Sequence, residues 1–315
     1  MGLFDGQVAV VTGAGRGLGR AEAVLLASEG AQVVVNDLGG AMTGEGSNEG
    51  PAHEVAAQIR ASGGQATANS DDISSWEGGQ RLIREALDVY GRLDILVNNA
   101  GILRDRMSFT MEEADWDSVI RVHLKGHFVP TRFAAAHWRQ VAKETGAPVN
   151  AKVVNTSSES GLYGNAGQLN YAAAKAGIAA LTVTTARGCA RYGVRANAIC
   201  PRARTAMLGD LVSPPPADGP DPLAPEHVTP LVTYLASPAA ERINGEVFIV
   251  HGGVAAVLNP PSIRAVFRAD TPDGMWTLPA VSDALAGEFA GSSPDSPGFA
   301  CMETMALATE TIGFD

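Results

Sequence analysis

Cysteine is scarce in this chain of 315 residues. Cys189, Cys200 and Cys301 are too few and too scattered for a disulfide framework or a structural zinc site. They point to a reducing, cytoplasmic compartment. Long apolar runs are missing too. None approaches the roughly 18 residues that span a bilayer, and MGLFDGQVAV lacks the basic region of a secretory signal. Positive charge is the minority sign: 23 Lys and Arg face 34 Asp and Glu, a net charge of -11. That balance argues against a nucleic-acid backbone or an anionic membrane as main partner. Lysine is the rarest cation, present only at Lys125, Lys143, Lys152 and Lys175. Each marks a place where arginine was passed over.

What is present is a chain that is 45 % hydrophobic, enough for a sizeable core. Short apolar runs read as strands over Val8–Thr12, Ala31–Asp37, Leu93–Asn98, Lys152–Ser157, Arg195–Cys200 and Glu246–Val250. Helical patterns fill the gaps: Arg20–Glu29, Trp76–Tyr90, Asp115–Ala142 and Asn170–Arg187. Continuously apolar strands separated by helices predict a parallel sheet covered on both faces, an α/β doubly wound (Rossmann) architecture. Pro130 should bend the longest helix or free a carbonyl. The predicted domain ends near Gly253. Residues 254–315 form an acidic C-terminal extension, with Arg264 and Arg268 against eight acids. The apolar spacing from Met275 to Phe289 predicts a helix docked on the core. Gly39–Pro51 is a Gly-rich insert, and Met207–Pro225, with six of the 18 prolines, is read as a lid-like loop.

The first strand runs into Thr12-Gly13-Ala14-Gly15-Arg16-Gly17-Leu18-Gly19. Glycines there allow a tight turn and close approach of a pyrophosphate, and the next helix aims its first amides at that anion. The same string could be a plain flexible loop, but a strand before and a helix after supply the context a dinucleotide site needs. Asp37 ends the second strand. A carboxylate there accepts from an adenosine ribose and repels a 2′-phosphate, which predicts NAD rather than NADP. Arg16 cuts the other way, and Asp37 also reads as a turn residue.

Tyr171 and Lys175 lie four apart in a helical stretch and share a face. A phenol is a poor base at neutral pH, and a neighbouring ammonium should lower its pKa. Ser158 ends a strand 13 residues earlier, and Asn98-Asn99-Ala100-Gly101 ends the strand before it. Carboxyl ends of parallel strands line the ligand crevice, so these elements converge on one site for hydroxyl–carbonyl interconversion.

With TGxxxGxG, NNAG and Ser…Tyr-x-x-x-Lys in order over Leu3–Gly253, the chain resembles the short-chain dehydrogenase/reductase family. The resemblance implies that Ser158 orients the substrate oxygen and that Tyr171 transfers the proton. Lys175 would bind the nicotinamide ribose and lower the Tyr171 pKa. Asp72 and Ile73 would flank the adenine, Asn99, Ala100 and Gly101 would line the cofactor cleft, and Pro201–Thr205 would pass the nicotinamide. The strings VNDLGG, NNAGILRDR, RVHL and GLYGNAGQLNY are similar to the dehydrogenase part of the multifunctional enzyme type 2 (17β-hydroxysteroid dehydrogenase type 4) group. That likeness implies NAD-dependent oxidation of (3R)-3-hydroxyacyl-CoA in lipid or sterol side-chain degradation. Steroid dehydrogenase, 3-oxoacyl-thioester reductase and a non-catalytic NAD sensor remain as alternatives. It also implies a homodimer or homotetramer.

Departures are visible. The family's fourth catalytic position, an Asn acting largely through its carbonyl, is His123 here, which can offer the same carbonyl or be inert. Arg104, Arg106, Arg202 and Arg204 could meet a CoA phosphate or be solvated surface. Cys200 reads as a small buried residue, and His251 has no partners at metal-ligand spacing. No metal is expected.

Overall fold

Val8–Thr12 forms β1, buried along its whole length because every residue but Thr12 is apolar and both faces are covered. The computed structural model describes residues 2–41, 43–205, 214–216, 219, 221–261, 263, 265–269 and 275–291. After β1 come α1 (Gly17–Ser28), β2 (Gln32–Asn36), α2 (Gly50–Ala61), β3 (Gln65–Asn69), α3 (Trp76–Tyr90) and β4 (Ile95–Asn98). Then follow α4 (Glu113–Val119), a π-helical turn (Ile120–Lys125), α5 (Gly126–Thr145), β5 (Ala151–Thr156) and α6 (Glu159–Tyr163). The rest is α7 (Leu169–Cys189), β6 (Val194–Pro201), α8 (Thr229–Ala236), β7 (Val247–His251), β8 (Val254–Val257) and α9 (Leu278–Phe289).

The sheet order is β3-β2-β1-β4-β5-β6-β7-β8. Pairing is parallel from β3 to β7, and β8 turns back antiparallel along β7. The strand order reverses between β1 and β4, which opens the crevice at their carboxyl ends. One apolar cluster joins α1, α2 and α8 to one face of the sheet. Another joins α3 and α5 to the other face.

Several elements differ from the sequence reading. The stretch 115–142 is not one helix. It runs as α4, the π turn and α5, with the Gly126 N–H reaching the Arg121 carbonyl five residues back. Pro130 lies inside α5, where it has no N–H to offer the Gly126 carbonyl. β3 is new: QATAN is half-exposed and carries little apolar signal. β8 brings residues 254–257 into the sheet. α9 forms where the apolar spacing placed it, yet none of its residues is buried. Most of 207–225 lies outside the described residues, as does the chain beyond 291. No helix among the described residues is long and apolar enough to cross a membrane.

Glu22 on α1 is buried, and neither carboxylate oxygen has a hydrogen-bond partner among the described residues. Burial pushes its pKa up from the ordinary glutamate range to about 8. The folded chain therefore keeps a proton across that interval which the unfolded chain gives up. The resulting stability contribution is complete below the unfolded value and is lost as pH rises through 8. Glu22→Gln should gain little relative to the parent at about pH 5 and approach about 4 kcal/mol at about pH 9. Thermal melts across that range check it. A stability difference that does not change with pH contradicts it.

Candidate active site

The turn after β1 is a cradle that side chains would fill. Gly13 has φ +64°, and a Cβ there would fall 2.7 Å from Ala100 Cα. A Cβ on Gly19 would fall 2.3 Å from the Gly13 carbonyl oxygen. Gly17 has φ +51° and faces the Thr205 side chain, whose Cγ2 is 3.4 Å from where a Cβ would sit. Asn99 locks the floor: its Nδ2 donates to the Thr12 and Gly13 carbonyls, both at 3.2 Å. Thr12 Oγ1 in turn accepts from the Asn99 and Ala100 amides at 3.1 and 3.3 Å. Asn99 thus shapes the turn with its side chain. No side chain caps the start of α1, so its first amides are free for an anion. Leu18 is buried beneath them, and Arg16 stays exposed, reaching toward the Gly39 carbonyl at 3.5 Å.

Asp37 sits against this turn. Its Oδ2 accepts from the Gly15 amide at 2.8 Å and its Oδ1 from the Gly39 amide at 2.7 Å. A carboxylate fixed over the cradle suits a ribose and opposes a phosphate. Asp72 and Ile73 follow β3. Asp72 accepts from Ser74 and pairs with Arg121 at 3.0 Å. Ile73 is buried in the core beside Gly79 and Gly126. Their side chains brace the start of α3 against the π turn.

Ser158 follows β5 and caps α6, its Oγ accepting from the Ser160 amide at 3.2 Å. It sits close enough to the Tyr171 hydroxyl to lower its pKa. Lys175, one turn along α7, places Nζ 5.4 Å from the Tyr171 ring centroid and donates to the Thr156 carbonyl at 2.5 Å. The three residues therefore meet, as their spacing predicts.

The electrostatics differ from the sequence expectation. Tyr171 is partly open to solvent, but the protein closes around its hydroxyl. Burial pushes the phenol up to about 12, against a smaller lowering from Ser158. Lys175 does not offset this, because burial brings its own pKa down to about 7 and its amine points at a carbonyl. The expected lowering of the Tyr171 pKa by Lys175 is thus absent from the protein alone.

His123 is more than a helix residue. The π turn aims its ring at the loop after β4, with Nε2 3.0 Å from the Ile102 nitrogen and 2.7 Å from its carbonyl oxygen. One tautomer serves the N–H, the other the carbonyl. The ring meets Tyr171 edge-on at 5.1 Å between centroids. A Cβ on Gly101 would fall 2.3 Å from His123 Cε1, which accounts for that glycine. Burial and Lys175 hold His123 well below the usual histidine range. His127, one turn on, is also buried, and burial lowers it to about 3.

All four candidate phosphate-binding arginines carry acidic partners. Arg104 reaches Glu45 at 3.3 Å and Asp115 at 3.7 Å, and Arg106 reaches Asp115 at 3.8 Å. Arg202 pairs with Glu159 at 2.6 Å and Arg204 with Asp221 at 2.7 Å. The Glu159–Arg202 pair escaped the sequence reading. Its only trace is an acid directly after the strand-end serine and an arginine after the next strand's terminal proline. Cys200 is buried, and burial pushes its thiol up to about 12, which suits a core residue. His251 ends β7, and its Nε2 has no hydrogen-bond partner among the described residues. Among the described residues no group of three or more His, Cys, Asp or Glu could hold a metal.

The family model for short chain dehydrogenases matches residues 7–214. Hydroxyacyl-CoA dehydrogenase ChsB1 of Mycobacterium tuberculosis is 50 % identical over 296 residues, 93 % of this chain and 91 % of that protein. Peroxisomal multifunctional enzyme type 2 of Mus musculus is 45 % identical over 250 residues, 79 % of this chain but 32 % of that protein. The chain therefore spans about a third of that longer relative. A solved short chain dehydrogenase from Mycobacterium avium has a TM-score of 0.78 and 43 % identity, covering 90 % of this chain and 96 % of that one. The structure of 7α-hydroxysteroid dehydrogenase complexed with NADH and 7-oxo glycochenodeoxycholic acid has a TM-score of 0.69 and 28 % identity, covering 79 % of this chain and 94 % of the other. The cradle, the strand-end site and these matches have one reading: the chain belongs to the short-chain dehydrogenase family and is an oxidoreductase that acts on CH–OH groups with a nicotinamide cofactor.

Proposed function

We propose that the chain oxidises a (3R)-3-hydroxyacyl-CoA to the 3-oxoacyl-CoA with NAD as acceptor. The observation that carries this reading is the meeting of Ser158, Tyr171 and Lys175 at the strand ends beside the Gly13–Gly19 cradle. Gly13, Gly17, Gly19 and the first amides of α1 would hold the pyrophosphate, with Thr205 facing Gly17. Asp37 would take the adenosine ribose, and its charge favours NAD over NADP. Asn99, Ala100 and Gly101 would shape the cleft, and Pro201 would border the nicotinamide. The oxidised nicotinamide, when bound, accepts the hydride and adds positive charge. Ser158 steadies the substrate oxygen, Tyr171 takes its proton, and Lys175 holds the ribose. The thioester class rests on the likeness to a relative named hydroxyacyl-CoA dehydrogenase along nearly the whole chain.

A steroid alcohol is the second reading, supported by the likeness to a hydroxysteroid dehydrogenase complex. Purified protein offered 3-hydroxyacyl-CoA thioesters and hydroxysteroids, each with NAD and NADP, decides between them by reduced-nucleotide absorbance. Thioester turnover should dominate, with at least about a tenfold preference for NAD, a difference of about 1.4 kcal/mol. Preference for NADP would overturn the role of Asp37, and turnover of steroids alone would overturn the thioester. The exposed Phe128 on α5 and Leu169 on α7 fit a homodimer or homotetramer through these helices, which light scattering tests.

A further inference from the structure

Glu159 follows Ser158 directly, and Arg202 follows Pro201 directly. Their side chains form a two-pronged pair: Arg202 Nε donates to Glu159 Oε2 at 2.6 Å and Nη2 to Oε1 at 2.8 Å. Side-chain exposure is 9 % for Glu159 and 20 % for Arg202. Withdrawing both charges from water is costly, and an apolar pair of similar volume commonly stabilises a fold as well. The two-pronged geometry supplies direction, which apolar packing does not.

Direction matters because of what each partner is attached to. On one side, the Ser158 turn is fastened to α7. Ser157 Oγ donates to the Lys175 carbonyl at 2.8 Å, and a Cβ on Gly161 would fall 2.7 Å from Lys175 Cβ. On the other side, Arg202 continues the end of β6 into the segment that reaches Thr205 opposite Gly17. A third strand end contributes His251, whose buried ring responds to both Arg202 and Glu159. Burial and the Arg202 charge keep His251 below its ordinary value, so it adds no competing cation near neutral pH.

We infer that the Glu159–Arg202 pair is a positioning device that couples the Ser158 turn to the 201–205 segment. The group steadying the substrate oxygen and the segment bordering the nicotinamide then move as one body. The roles of the two ends rest on the function proposed above. The coupling itself is a property of the fold and has a readout independent of substrate.

That readout is amide hydrogen exchange with and without NADH. In the parent protein NADH should slow exchange in both 158–163 and 201–205. In Glu159→Gln the slowing should persist in 201–205 and fade in 158–163. The swap Glu159→Arg with Arg202→Glu should restore it, at least in part. Equal slowing of both segments in parent and variant overturns the inference, as does a parent in which 158–163 does not respond. Kinetics give a second arm. Glu159→Gln and Arg202→Met should each lower kcat at least about tenfold with KM within about threefold, and the double variant should be little worse than either single. Additive losses, or losses confined to KM, contradict the coupling. If the parent shows the exchange pattern but oxidises no hydroxyacyl thioester, the proposed function fails and the coupling stands.

Discussion

Tyr171→Phe should lower kcat by about a thousandfold or more while leaving NADH affinity within about threefold. The substitution removes one oxygen from the residue that sits beside Ser158 and stacks edge-on to His123. Phe keeps the ring and the packing, so the fold and cradle should survive. What is lost is the only proton acceptor assigned to the substrate hydroxyl. General acid–base catalysis is worth about 10² to 10⁴ in rate. The upper half of that range is expected because no other residue of the site is assigned to take that proton. Steady-state kinetics and NADH fluorescence titration measure the two quantities separately. A rate unchanged by Tyr171→Phe would remove Tyr171 from the chemistry and favour a protein that senses the nucleotide without turnover.

Gly13→Val should abolish measurable dinucleotide binding, a loss of at least about a hundredfold. Gly13 holds φ +64°, where a β-branched residue is strained, and its Cβ would press on Ala100 Cα at 2.7 Å. The atoms it meets are the Ala100 backbone and Cβ, not the end of a flexible side chain. The Ala100 backbone is pinned by the Thr12 hydroxyl, and Asn99 holds the Gly13 carbonyl. Relief can come only by prising the β1 turn away from the β4 turn, which destroys the anion cradle. The melting temperature should fall with it. Gly188→Ala is the control: it lies in α7, a Cβ there meets nothing within 4 Å, and affinity should be unchanged. Isothermal titration with NADH checks both. Retained affinity in Gly13→Val would mean that the pyrophosphate binds elsewhere.

The two substitutions probe the parts of the site that were most legible in the sequence. The glycine spacing is dictated by a turn between a buried strand and a helix. The four-residue step from Tyr171 to Lys175 is dictated by one helical turn. Strand ends at Asn98 and Ser158 could be placed because the apolar runs 95–97 in β4 and 153–154 in β5 give way to polar residues there. Edge elements were harder. β3 is QATAN, half-exposed, and its pairing with β2 is not written in an apolar run. The π turn was invisible because 113–145 keeps a helical pattern through it, and only the position of His123 against Ile102 shows why the backbone widens there.

Electrostatics were the least legible. Sequence proximity of Lys175 to Tyr171 suggests an ion beside a phenol. The fold buries Lys175 and crowds the Tyr171 hydroxyl, and desolvation moves each pKa toward the neutral form. Arginine partners were likewise hidden: Arg104 finds Asp115, and Arg202 finds Glu159 43 residues away. No local pattern announces pairs of that separation.

In the proposed reaction a hydride leaves a substrate carbinol carbon beside Tyr171 for a nucleotide held over Gly13–Gly19. A 3-hydroxyacyl-CoA carrying deuterium on that carbon, incubated with NAD and the purified protein, tests it most directly by mass spectrometry of the recovered nucleotide. Label should appear on the reduced nucleotide in step with 3-oxoacyl-CoA. Ketone formed without label on the nucleotide, or neither product after prolonged incubation, would contradict the account.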